Sequence, residues 1–149
     1  MKHWILALAL LTTPALAEDL LMVRSSQSFP ETMLRLQQAI ADHGYTLSRV
    51  QRVDVGLTKM GYQTDKYRVV FLGKPEEIRR LKVSHPKLIP YLPLKISIFA
   101  ENEQTLLSTV NPEFLARFYP DPKLQPVFHR WAEDLHRILE AVRTAREEG

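Results

Sequence analysis

Tyr67-Arg68-Val69-Val70-Phe71-Leu72, stopped by Gly73-Lys74-Pro75, is the stretch on which the fold turns. Four bulky apolar residues in succession, bounded by a glycine and a proline, predict a buried strand near the middle of a sheet. Upstream, Tyr45 to Arg52 has the Tyr, Thr and Val content of a second strand, and Leu20 to Gln27 that of another. Between them Ser28-Phe29-Pro30-Glu31 has capping-box spacing, so a helix should start there and carry Met33, Leu36, Ala39 and Ile40 on one side. Gly44 stands where a left-handed residue closes such a helix. Val53 to Met60 suits a short helix ended by Gly61.

Downstream, Glu76 to Ser84 reads as a short charged helix. Pro86, Pro90 and Pro93 then predict an extended crossing, because proline removes a helical donor and biases the residue before it away from the α region. Leu94 to Ala100 and Leu106 to Val110 flank the polar turn Glu101-Asn102-Glu103-Gln104 and predict a hairpin. Pro112 opens a helix over Glu113 to Phe118. From about Val127 to Arg146, Phe128, Trp131, Leu135, Ile138, Leu139 and Val142 recur at 100° per residue, the mark of a long amphipathic helix. The expected fold is an α+β two-layer sandwich. Its sheet should be a largely antiparallel, mixed one of about five strands, with helices on one face and the long C-terminal amphipathic helix lying across it.

The N-terminus sets the compartment. A charged start at Met1-Lys2-His3, the apolar run Trp4 to Leu11 and the small-residue site Ala15-Leu16-Ala17 have the order of a secretory signal peptide cleaved after Ala17. The run is too short for a membrane span, which takes about 20 apolar residues, so no stable membrane insertion is expected once the peptide is removed. Residues 18–149 then form a single domain with 19 basic and 17 acidic side chains. That balance is mild and the signs are interspersed, so nucleic acid is not an expected partner. The chain has no cysteine, which excludes disulfides, thiolate metal ligands and covalent haem attachment. A periplasmic location in a two-membrane bacterium fits these features.

Several short motifs resemble the family known as domain of unknown function 302. They are Phe29-Pro30-Glu31-Thr32, Gly44, Asp54, Gly61, Phe71 with Gly73 and Pro75, Leu92-Pro93-Leu94-Lys95-Ile96, and Asn111-Pro112 with Leu115-Ala116. The resemblance covers most of residues 18–149 and implies a compact two-layer α+β fold, often dimeric, with no agreed activity. The family pattern commonly places a histidine after the aspartate. Here Val55 follows Asp54, which puts any role for that histidine in doubt.

Three sets of residues carry possible chemistry. Lys95 and Arg68 stand within apolar strands, and with Asp54 they outline a candidate binding pocket for a small anionic ligand, since an unpaired buried cation is costly. Alternation puts Lys95 on a face with Ser97 and Phe99; on a wet sheet face, or paired with Asp54, it would need no ligand. His129, Glu133 and His136, followed by Glu140, form one helical stripe that could hold a metal, but the stripe lies opposite the Phe128 and Trp131 face and equally suits a solvated surface. Met22, Met33, Met60, Tyr62, Tyr67, Tyr91 and Phe99 could serve a non-covalent haem or copper, yet such residues usually fill cores; no cofactor is predicted. No phosphate-cradling glycine loop or Gly-x-Ser-x-Gly elbow occurs, and Ser84-His85 are adjacent only in sequence. The expectation is a non-enzymatic binding or accessory protein for a small anion. The alternatives are a homodimeric interaction module without a ligand and, last, a metal- or haem-binding redox accessory.

Overall fold

The computed structural model describes residues 18–144. The expected signal peptide and the last residues of the expected C-terminal helix lie outside the described residues. The run Tyr67–Gly73 is β3, paired on both edges, with β2 (Thr46–Arg52) on one side and β4 (Leu94–Glu101) on the other. β5 (Gln104–Val110) follows β4, and β1 (Leu20–Ser25) closes the sheet against β5. The order is β1-β5-β4-β3-β2 with every pairing antiparallel, so the mixed sheet expected from sequence is a wholly antiparallel one with β4, not β3, at its centre. The β4–β5 hairpin turns on Asn102-Glu103, where Asn102 takes φ 54°. Asparagine tolerates that left-handed conformation better than most residues.

Helix α1 (Phe29–Asp42) begins as the capping box requires: the Glu31 carboxylate accepts from the Ser28 backbone N–H at 3.0 Å and from its hydroxyl at 2.7 Å. It ends in a Schellman arrangement, with Gly44 at φ +76°, Gly44 N donating to Ala41 O and Tyr45 N to Ile40 O. α2 (Val53–Lys59) is the short helix ahead of Gly61, and α3 (Pro75–Ser84) starts at the proline that stops β3. The expected extended crossing is instead a 3-10 helix over Pro86–Tyr91, and a second one spans Pro112–Arg117. Proline at the first position of a short helix loses no bond, because that N–H has no partner in any helix start. The Leu92–Pro93 bond is cis.

α4 (Gln125–Thr144) lies beside α1 over one sheet face, burying Phe128, Trp131, Leu135, Ile138, Leu139 and Val142. They meet Val70, Leu72, Ile96, Ile98 and Leu107 from the sheet and Leu36 and Ile40 from α1. Each buried aromatic removes about 150–250 Å² from water, a gross gain of about 4–6 kcal/mol at about 25 cal/mol per Å². Polar groups seal the margin of this layer. The Glu77 carboxylate accepts from Trp131 Nε1 at 2.6 Å and pairs with Arg130, while Asp134 accepts from the Tyr45 hydroxyl at 2.7 Å. Burial, followed by that carboxylate, pushes the Tyr45 phenol far above its ordinary range.

Among the described residues, no α-helix covers the opposite face. Register and alternation place there Leu20, Met22, Val110, Leu106, Lys95, Ser97, Phe99, Tyr67, Val69 and Phe71. Tyr67 and Phe99 meet edge to face at 5.9 Å, and Leu20, Met22 and Val110 are each more than half exposed. The same register puts Arg24, Arg49, Gln51 and Ser108 on this face, so its apolar residues form a patch bordered by polar and charged ones.

Candidate functional site

The site is built by a parting of two strands. β3 pairs with β4 up to Leu72↔Leu94, and β1 pairs with β5 up to Leu20↔Val110. The ladder between β4 and β5, however, runs only from Glu101↔Gln104 to Ser97↔Ser108. Beyond Ser97 the two strands diverge, and the Thr109 hydroxyl donates to Lys95 O at 2.6 Å across the widening gap. Tyr91, at the end of the first 3-10 helix, and Phe114, Leu115 and Phe118 from the second segment wall the opening. The result is a groove of about 420 Å³.

Among the described residues, Lys95, which is exposed, is the cationic side chain that lines this groove, and no Asp or Glu lines it. Its ammonium lies 6.0 Å from the centroid of Phe71, its cross-strand neighbour, and among the described residues it takes part in no ion pair. Asn111 of the lining is engaged: it accepts from Glu113 N at 3.0 Å, which caps the second 3-10 helix, and donates to Glu18 O at 2.8 Å. Arg117 at the rim stacks on Phe114 at 4.7 Å and pairs with Asp19 at 2.9 Å.

Arg68 and Asp54 do not join Lys95. Arg68 pairs with Ile98, which is fully buried, so it points to the helix side of the sheet, whereas Lys95 points to the open side. There Arg68 forms an ion pair with Asp54, donates to Tyr67 O at 3.1 Å and lies 5.7 Å from the Phe29 ring centroid. Burial works to raise the Asp54 carboxyl, but hydrogen bonding and charge from Arg68 outweigh it and hold the group below the usual carboxylate range. The expected single pocket is therefore divided. One half is an internal clasp between β3 and α2, and the other is a cation with no carboxylate.

The helical stripe also resolves into separate contacts. His129 Nδ1 lies 2.6 Å from Glu113 Oε1, Glu133 faces Arg137 at 3.7 Å, and Glu140 pairs with Arg143 at 2.6 Å. His136 is exposed. Among the described residues no three His, Asp or Glu side chains converge on a common metal position. The Glu113 hydrogen bond and charge raise the His129 imidazole above its ordinary value.

Ser84 and His85 are joined in space after all. Ser84 Oγ is 2.9 Å from His85 Nδ1, and His85 Nε2 is 3.1 Å from Asp121 Oδ2. The connectivity of a nucleophile, base and acid is present, but Ser84 also donates to Arg80 O at 3.0 Å and ends α3. The negative end of a helix opposes a developing oxyanion, so this relay locks the helix terminus to the Asp121 turn.

Of the groove's aromatic wall, Tyr91 stands among the possible haem or copper residues named from sequence, and Phe114 and Phe118 do not. The signal available for these two is a pair of aromatics four residues apart just after Asn111-Pro112 that no core position claims.

Fold and site together describe a two-layer α+β protein with an open sheet face and, at its end, a groove whose lining holds Lys95 and no carboxylate. The chain belongs to the family described as domain of unknown function DUF302, whose profile matches residues 21–142. Among solved structures it is similar to an uncharacterized conserved DUF302 protein from Bacillus stearothermophilus. The TM-score is 0.78 at 22% identity, over 85% of this chain and 100% of that one. No curated protein matches the chain.

Proposed function

We propose that the protein is an exported, non-enzymatic binding module that holds a small anionic ligand on Lys95, in the periplasm. The observation that carries this reading is Lys95 itself: a cation in a groove without a carboxylate, walled by apolar side chains. Lys95 itself is exposed, so its ammonium offers an anion a water-screened attraction, and covering the apolar walls supplies the rest of the gain. Arg68 and Asp54 leave the ligand set, since each satisfies the other.

The test is native against denaturing mass spectrometry on protein purified gently from the periplasmic fraction of its own host. A stoichiometric extra mass in the native spectrum, absent from Lys95→Met, supports the reading. An extra mass that survives Lys95→Met, or none in either protein, counts against it. The same sample tests export. The expected mature N-terminus is Glu18, and a chain retaining Met1 outside the osmotic-shock fraction contradicts the location.

A second reading, self-association as a homodimer, is favoured by one observation: the uncovered apolar sheet face around Met22, Val69 and Phe99. Light scattering over a wide concentration range should then give twice the chain mass, and Met22→Glu should lower it. A monomer throughout would remove this reading.

A further inference from the structure

Resting on the Lys95 reading, we propose that the ligand is a monoanionic amphiphile: a carboxylate whose headgroup meets Lys95 and whose hydrocarbon body lies against Phe114, Phe118 and Val110. The count of cations sets the charge. Thr109 spends its hydroxyl on Lys95 O, Asn111 caps the second 3-10 helix and holds Glu18 O, and Arg117 beside the lining is paired with Asp19. One free ammonium matches one negative charge. A phosphate dianion would carry one negative charge more than the cations of the lining match.

The walls set the rest of the molecule. Phe118 is 64% exposed, Val110 56% and Tyr91 49%, and all three line the one groove. Single exposed apolar residues need no explanation, but three around one concavity with a cation define a surface that an apolar body would cover. The volume of about 420 Å³ lies within the range of small-molecule sites, roughly 300–1,000 Å³. Lysine, a compact point charge without a planar fork, suits a headgroup that need not be gripped in two places.

The experiment is isothermal titration calorimetry of the purified protein with butanoate, hexanoate, octanoate and 1-octanol, alongside light scattering. Affinity should rise about two- to fourfold per added methylene. Lys95→Met should weaken octanoate about tenfold and leave 1-octanol unchanged. Phe118→Ser, at an exposed position that folding does not need, should weaken octanoate and leave butanoate unaltered. If butanoate binds as tightly as octanoate and both depend on Lys95, the anion site stands and the amphiphile is overturned. If 1-octanol matches octanoate, headgroup selection is overturned. If no carboxylate binds, both readings fall; a dimer that persists on dilution would then assign the groove to a second copy of the chain.

Discussion

Removing the Arg68–Asp54 clasp should weaken folding and leave ligand binding intact. The pair lies at the margin of the core, with about 15% of each side chain exposed, and Arg68 also holds Tyr67 O and packs by Phe29. Exposed pairs contribute about 0.2–1 kcal/mol, and breaking a buried one costs about 3–5 kcal/mol. An intermediate setting gives about 1–2 kcal/mol for Asp54→Ala and for Arg68→Met, with a coupling of about 1 kcal/mol in the double variant. Urea unfolding at pH 7 reads these values through Trp131, the one tryptophan of residues 18–149. The pH dependence has a definite sign. Asp54 is held below its ordinary value in the folded state, so its contribution is complete above that ordinary value, near 3.9, and is lost as pH falls through the lower folded one. The coupling should therefore be flat from pH 7 to about 5 and fade below about 4. Additive single variants, or an Arg68→Met protein that no longer binds octanoate, would refute the division of the two cations.

Three further outcomes follow from named contacts. Glu77→Gln should cost about 1–3 kcal/mol, because the Trp131 N–H and Arg130 lose a charged acceptor, and it should shift Trp131 emission; unchanged stability and emission would contradict the contact. His129 should titrate above about 6.5 by proton NMR, and Glu113→Gln should return it to the ordinary range. This contribution is complete below the ordinary value and disappears as pH rises through the raised one. Gly44→Ala should lower stability by about 1 kcal/mol in thermal unfolding, through the left-handed φ alone, since nothing lies within 4 Å of the added methyl.

Much of this fold is written in local pattern, and the site is not. The Val69–Leu72 run, the Ser28/Glu31 box and the spacing of Phe128, Trp131 and Leu135 each bear on neighbours within a few residues, and each forms the expected element. Pro86–Tyr91 was misread because a proline that forbids the interior of an α-helix is welcome at the start of a 3-10 turn. Lys95 was legible on a face with Ser97 and Phe99, because Leu94, Ile96 and Ile98 alternate with it. Arg68 was not, since β3 is bulky at nearly every position and its parity is fixed only by pairing with β4. The groove was less legible still. It depends on where the β4–β5 ladder ends, and it gathers Tyr91, Lys95 and Phe118 from three separate segments.

The most direct test of the Lys95 groove is a two-dimensional amide NMR titration of the isotopically labelled protein with octanoate. Shifts confined to Lys95, Val110, Asn111, Phe114 and Phe118, saturating at one equivalent and absent in Lys95→Met, are the expected result. Shifts that cluster around His85 and Lys123 in the cleft between α3 and α4, or that spread evenly without saturating, would contradict the assignment.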